Sequence, residues 1–291
     1  MKGFFILMVL LPFFALSNPK VGLNDSIPNK GKLFLSSALT LGAYSSSLLV
    51  LQNVWYKDYP QSKFHFFDDG KNWMQMDKMG HGFSSYYLAK SVSAGFAKTG
   101  IDKKSIWVGA GTSFLYLGTL ELMDGKSSAW GFSWYDITAN ATGTSIFLLE
   151  KLVFKKQYLI PKFSFMPSPY ATYRPTVLGS NLGQQILKDY NGQTYWLSIP
   201  MGVLTPKFNK FNWLCLSFGY GVDQKLVGDQ DQYLQFNAAR QFYLSLDVDL
   251  SSIKVKNPTM KKVLSAMNCI KIPFSALQLQ SSKLTFRPIY F

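Results

Sequence analysis

The sequence predicts an α+β protein in which an N-terminal helical bundle of about four helices precedes a small antiparallel strand-rich domain. Apolar residues recur at helical spacing up to about residue 157, and short alternating runs separated by Pro, Gly and Asn follow. Hydrophobic residues make up 47% of the 291 residues and charged residues only 16%. This composition excludes intrinsic disorder, which needs low hydrophobicity and high charge.

The charge balance restricts the class of partner. Thirty Lys and Arg residues oppose sixteen Asp and Glu, which gives a net charge of +14. The lysines are scattered and form no basic run of the kind that binds nucleic acid, so we expect no nucleic-acid partner. Together with the high hydrophobic content, the charge indicates attraction to anionic lipid or polysaccharide. We therefore expect membrane lipid or an envelope protein as the partner.

The first segment, residues 1–17, has the pattern of a secretory signal peptide. Lys2 precedes an apolar stretch over residues 4–16, and Ala15 and Ser17 fit the small-residue cleavage rule. The stretch is too short to cross a bilayer as a helix. We expect a mature chain from about Asn18, with a helical domain over 18–157 and a strand-rich domain over 158–291. The expected location is the periplasm, in association with the outer membrane.

Four helices are predicted in the first half. They cover about residues 32–55, 74–97, 102–123 and 133–154. Residues 33–56 carry no charge, so the first helix either spans a membrane or is a buried or surface-lying helix. Asp102 is the expected N-cap of the third helix, and Ser133 with Asp136 has capping-box spacing in the fourth. We expect close helix contacts at four glycines: Gly80, Gly109, Gly111 and Gly118.

The second half contains alternating strand patterns. The predicted strands are 194–201, 213–221, 241–250 and 283–290, and short helices are predicted at 181–188 and 259–267. Four or five strands are fewer than a closed membrane barrel requires. Cys215 and Cys269 either form a disulfide, which export would permit, or are two small buried apolar residues.

Acidic residues are scarce, and three predicted helices each carry a polar pair on one face. The pairs are Asp77 with His81, Glu121 with Asp124, and Asp136 with Asn140. Because buried ionisable groups are costly unless they are paired, we expect the three faces to converge, with His81 near a carboxylate.

This cluster has three interpretations. Asp77, His81, Glu121 and Asp136 would hold a divalent metal ion through oxygen and imidazole ligands. Alternatively, His81 acts as an acid or base that a carboxylate orients. In the third interpretation the cluster is a structural network that fixes the register of the helices.

The same motifs resemble a known family. They are 76–81 (MDKMGH), 121–125 (ELMDG), 130–136 (WGFSWYD) and 140–143 (NATG), followed by 173–175, 178–181, 188–196 and 241–247. This combination resembles the YfiM-like domain-of-unknown-function family, which implies a bacterial periplasmic or envelope protein of a kind common in Bacteroidota. Some relatives are lipoproteins, but this sequence has no Cys directly after the predicted cleavage site, where a lipid would be attached. A shorter pattern over about residues 77–143 is similar to the VanZ-like membrane proteins.

The resemblance implies a location and no activity. We expect a non-enzymatic structural or binding component at the periplasmic face of the outer membrane, because no G-x-S-x-G nucleophile motif occurs. One alternative is a metal-assisted hydrolase or transferase that acts on lipid or cell-wall intermediates. Another is a lipid- or glycan-binding module that uses aromatic and lysine-rich surface.

Overall fold

The computed structural model describes residues 27–57, 59–228 and 236–291. These residues form helices and one antiparallel sheet, which confirms the α+β class. They divide into two compact units. The helical unit contains the described residues up to Gly70 together with Gly80–Lys156, and the sheet unit contains Lys71–Met79 and Gln157–Phe291. The predicted signal peptide, 1–17, lies outside the described residues.

Four long helices occupy the predicted segments, and four shorter ones follow. They are α1 (Lys30–Leu51), α2 (Met76–Ala97), α3 (Asp102–Asp124), α4 (Trp134–Leu148), α5 (Pro175–Leu178), α6 (Leu182–Lys188), α7 (Met201–Leu204) and α8 (Pro258–Met267). π-Helical turns extend α1 over Gln52–Tyr56 and α4 over Leu149–Phe154. The packing of α1 to α4 as one four-helix bundle stays a prediction.

The starts of the long helices test the predicted caps. Ser133 caps α4 as expected, because its hydroxyl accepts a hydrogen bond from the Asp136 amide at 3.1 Å. The predicted N-cap of α3 is wrong, since Ile101 takes that position and Asp102 is already helical. A carboxylate in the first turn still interacts favourably with the positive end of the helix dipole.

Glycines allow two close helix contacts in the helical unit. At Gly109 a Cβ atom would overlap the Ala89 carbonyl oxygen and would lie 2.8 Å from the Ser93 Cβ, so α3 approaches α2 closely there. At Gly143 it would overlap the Gly82 carbonyl oxygen and Ser85 Oγ, so α4 approaches α2 even more closely. The expectation was therefore right for Gly109. It was wrong for two others, which face open space: Gly111 and Gly118.

The sheet is a six-stranded antiparallel meander in which each strand pairs with the next along the chain. Its strands are β1 (Ile160–Phe165), β2 (Gln193–Pro200), β3 (Leu214–Asp223), β4 (Ala239–Val248), β5 (Phe274–Gln280) and β6 (Lys283–Tyr290). The sequence patterns identified β2, β3, β4 and β6 and missed β1 and β5. One face of this sheet is buried, and its polar groups include an ion pair of 2.9 Å between Lys162 and Asp247.

The two cysteines are buried free thiols, so the disulfide is not formed. Cys215 lies on the buried face of β3, where burial raises the pKa of its thiol to about 12. The Cys269 thiol follows α8 and donates to the Ala266 carbonyl at 3.4 Å. Each thiol is thus enclosed in its own packing site, which agrees with the alternative of two small buried residues.

Candidate functional site

The helical unit brings four of the predicted site residues together. His81 lies in the second turn of α2, Glu121 in the last turn of α3, and Asp136 with Asn140 in the first two turns of α4. All four side chains are buried, with at most 5% of each residue exposed. We call these residues, His81, Glu121, Asp136 and Asn140, the imidazole–carboxylate cluster.

The imidazole of His81 is the centre of the cluster. Its Nδ1 lies 3.0 Å from Asn140 Oδ1 and 3.8 Å from Glu121 Oε1, and its Nε2 lies 3.8 Å from Asp136 Oδ2. An amide oxygen only accepts, so the contact with Asn140 places a proton on Nδ1. Asn140 therefore fixes the ring so that Nε2 is presented to the Asp136 carboxylate.

The carboxylates of the cluster are held by the start of α4. The Ser133 amide donates to Glu121 Oε2 at 3.4 Å, whereas the capping-box spacing suggested that Asp136 would accept this hydrogen bond. Asp136 instead directs its carboxylate towards His81, while its own amide donates to Ser133 Oγ. The Ser133 hydroxyl in turn donates to the Asp69 carboxylate in a short hydrogen bond. No sequence pattern had singled out Asp69, because it lies in an irregular segment.

The cluster also contains a buried donor that lacks an acceptor. In the part of the chain that the structure describes, the Asn140 Nδ2 atom has no hydrogen-bond partner although the residue is fully buried. The same holds for the hydroxyl of Thr144, one turn further along α4. Buried polar groups are normally satisfied, so an acceptor such as a water molecule or a ligand oxygen fits beside them.

The remaining two predicted site residues, Asp77 and Asp124, also accept hydrogen bonds from tyrosines. Asp77 is one helical turn before His81 but belongs to the sheet unit, where its Oδ1 accepts from the Tyr190 hydroxyl at 2.7 Å and its Oδ2 lies 3.4 Å from Lys78 Nζ. Asp124 lies at the end of α3, and its Oδ1 accepts from the Tyr56 hydroxyl at 2.9 Å. Both carboxylates thus join segments that are distant in sequence.

The arrangement has two chemical capacities. The His81 imidazole is held at Nδ1 by Asn140 and has the Asp136 carboxylate near Nε2, so it can transfer a proton. The Nε2 atom and the Asp136 carboxylate are also the nitrogen and oxygen ligand types that bind divalent cations. Asn140 holds the other ring nitrogen, Nδ1, as a hydrogen-bond partner holds the non-ligating nitrogen of a metal-binding histidine. The same contacts also connect α2, α3 and α4 and so stabilise their packing.

The fold and the cluster define an α+β protein whose helical unit encloses a polar site. Within that class, residues 65–151 match the model of a family described as "Predicted periplasmic lipoprotein (DUF2279)". This segment is less than a third of the chain and contains the whole imidazole–carboxylate cluster. Searches of curated proteins and of solved structures found no match. The family match and the apolar N-terminal helix support an exported envelope protein of uncharacterised role.

Proposed function

We propose that the protein is a non-enzymatic, membrane-anchored component of the bacterial envelope that acts as a structural or binding protein at the periplasmic face of the outer membrane. The observation that carries this proposal is the exposure of α1. Among the described residues, α1 is the helix whose length and composition suffice to cross a membrane, and 6% of its most apolar window is buried.

In α1, large apolar side chains are exposed and two hydroxyl groups face the rest of the unit. A helix of a water-soluble protein normally has the reverse arrangement. The two hydroxyl groups of α1 contact α3, since Tyr44 and Thr119 form a hydrogen bond of 2.7 Å and Tyr116 donates to Ser47 at 2.9 Å. Six of the large apolar side chains of α1 face outward, with exposed fractions from 41% to 77%: Phe34, Leu35, Leu39, Leu41, Leu49 and Val50. Burying one such side chain is worth about 1.5–3 kcal/mol, so an aqueous environment leaves α1 poorly stabilised.

The expected experiment is membrane extraction of the full-length protein. The wild type should stay in the membrane pellet after high-salt and alkaline washes, because salt screens charges but does not weaken apolar contact. The triple variant Leu35→Ser, Leu41→Ser and Leu49→Ser should be released. Ser45→Ala with Ser46→Ala changes exposed positions of the same helix without removing apolar area and should behave like the wild type. Release of the wild type by salt alone would refute the apolar anchor.

The choice of membrane has a separate test. The predicted signal peptide and the match to a family of predicted periplasmic lipoproteins support export to the envelope, and the outer membrane is the part of the envelope that we propose. Density-gradient separation of envelopes should place the protein with outer-membrane markers. Migration with inner-membrane markers would contradict this location and leave the anchor itself intact.

The geometry of the cluster favours a second candidate, a metal-assisted hydrolase or transferase acting on lipid or cell-wall intermediates. His81 Nε2 and Asp136 Oδ2 lie 3.8 Å apart, close enough to share a cation after a small adjustment. Metal analysis of the purified protein and its His81→Ala variant tests this function. Stoichiometric metal in the wild type alone would support it, and equal metal content would contradict it.

A further inference from the structure

The sheet unit has an apolar face that is exposed. Two rows of residues cross β3 to β6 on this face, as the strand register shows: Phe218–Leu244–Leu277–Phe286 and Tyr220–Phe242–Leu279–Leu284. Seven of these eight side chains are large apolar groups that are 39% to 65% exposed, and the eighth is Tyr220. We call these eight residues the outer rows. None of them carries a charge.

The opposite face of the sheet is buried and holds polar groups beside an aromatic cluster of Trp196, Tyr243 and Tyr290. Lys162 contacts Asp247 at 2.9 Å, the Ser198 hydroxyl lies 2.7 Å from the Ser217 hydroxyl, and the Lys271 ammonium donates to the Leu246 and Ile272 carbonyls. An antiparallel sheet with one solvated face normally buries its apolar residues and exposes its polar ones. This sheet instead exposes two apolar rows and buries several charged and hydroxyl groups, so water is not the environment that its outer rows fit.

One end of the sheet is strongly basic. The connections over residues 201–213 and 250–273 both start from this end, because Pro200 pairs with Cys215 and Leu214 pairs with Val248. They contain no acidic residue. Their exposed cations are six lysines: Lys207, Lys210, Lys254, Lys256, Lys261 and Lys262.

The same connections also expose apolar groups among the lysines. In α8, Met260, Val263 and Met267 are 41% to 50% exposed and have the spacing of one helix face. Trp213, directly before β3, is 43% exposed. A helix with lysines and an exposed apolar face, beside an exposed Trp, is typical of segments that lie in a membrane interface.

We propose that the sheet unit binds an anionic lipid bilayer, with the outer rows against the acyl chains and the six lysines at the lipid phosphates. This inference rests on the proposed membrane function and adds a second contact that is independent of α1. A bilayer supplies both an apolar layer and an adjacent layer of negative charge. A second copy of the chain fits this surface less well, because the six lysines of each copy would repel one another.

The experiment locates the outer rows in reconstituted full-length protein. A fluorophore on Leu277→Cys reports from the outer rows, and one on Ser180→Cys reports from the connection at the opposite end of the sheet. The native thiols are buried and do not compete for the label. Vesicles of phosphatidylcholine mixed with phosphatidylglycerol carry brominated acyl chains as quenchers. We expect strong quenching at position 277. At position 180 we expect only the weak quenching of a fluorophore that is surrounded by water.

The lysines are tested with a matched pair of variants. Lys261→Gln with Lys262→Gln removes two charges from the first turns of α8, and Lys103→Gln with Lys104→Gln removes two from the first turn of α3. A lysine near an anionic surface contributes roughly fivefold to binding. The α8 variant should therefore reduce quenching at position 277 in the anionic vesicles, and the α3 variant should leave it unchanged. Equal effects of both variants would refute a role of the basic end.

The outcomes separate this inference from the proposed function. If the protein stays in the vesicles but position 277 is not quenched, α1 anchors the chain and the sheet inference is overturned. Protection of position 277 from aqueous quenchers with dimers in the detergent-solubilised protein would assign the face to a second copy, which also overturns it. If the wild type is released by salt in the membrane extraction, the proposed function fails whatever the fluorescence shows.

Discussion

Replacing Gly143 by Ala should destabilise the helical unit, because Gly143 sets the distance between α4 and α2. The added methyl group would overlap the Gly82 carbonyl oxygen and Ser85 Oγ and would lie 2.9 Å from the Gly82 carbonyl carbon. Two backbones and a short side chain form this contact, so no flexible group can move aside. Asn140, one turn earlier in α4, would be pulled away from His81.

The expected size follows from two opposing effects. Overpacking a tight contact costs about 1–3 kcal/mol, and an unsatisfied buried imidazole N–H would add about 1–3 kcal/mol. Ala in a helix interior recovers only about 0.5–1 kcal/mol relative to Gly. The net loss is about 1–5.5 kcal/mol, which corresponds to a decrease of roughly 2–22 °C in Tm at about 2–4 °C per kcal/mol.

Gly111→Ala is the matched control, since Gly111 lies inside α3 and nothing is within 4 Å of a Cβ atom there. That variant should gain about 0.5–1 kcal/mol from helix propensity alone. Thermal unfolding in detergent, followed by circular dichroism, measures both variants. Shifts of the same sign and size would show that α2 and α4 are not in backbone contact and would refute the packing argument.

Three further predictions concern titratable and polar groups. His81→Ala should lower the free energy of unfolding by about 1–3 kcal/mol if the cluster is a structural network; a loss that appears only after metal loading would contradict that role. Burial lowers the pKa of Lys271 to about 8, so above this pH the unfolded chain binds a proton that the native state does not. The stability of the wild type relative to Lys271→Met should therefore rise as the pH increases through about 8. Urea titrations of both proteins at several pH values measure this difference. A difference that does not change with pH would refute the prediction. Because both cysteines are buried and burial raises the pKa of the Cys215 thiol to about 12, neither thiol should react with a thiol reagent until the protein unfolds, and rapid labelling of the native protein would contradict the packing.

The sequence predicted β4, whose alternation is complete, and missed β1, whose burial depends on a distant partner. β4 alternates over its whole length, and its predicted and observed positions differ by two residues. β1 contains Pro161, which normally argues against a strand, and Lys162, a charge that normally argues against burial. Lys162 is buried because Asp247, 85 positions later in the sequence, accepts its charge. No local pattern contains that information.

The cluster was predictable in part for the same reason. Helical spacing was enough to place His81 and Asn140 on inward faces, since it is a property of each helix alone. The partner of each carboxylate was not predictable. Glu121, and not Asp136, accepts the Ser133 amide, because the last turn of α3 meets the first turn of α4. Asp69 joins through Ser133 from a segment without periodicity, so its role appears only in three dimensions.

Each unit, taken by itself, buries polar groups within an otherwise apolar core and also exposes large apolar side chains. The helical unit encloses His81 with two carboxylates and exposes the apolar side chains of α1, and the sheet unit encloses Lys162 with Asp247 and exposes the outer rows. In water this arrangement has two costs. The buried charges lose their hydration, and the exposed apolar side chains gain no stabilisation from burial. In a bilayer the second cost disappears, since lipid surrounds the apolar exterior, and the inward polar contacts then hold each unit together. Two units with different secondary structure thus both expose large apolar side chains, and this agreement supports the proposed lipid environment more strongly than either surface alone.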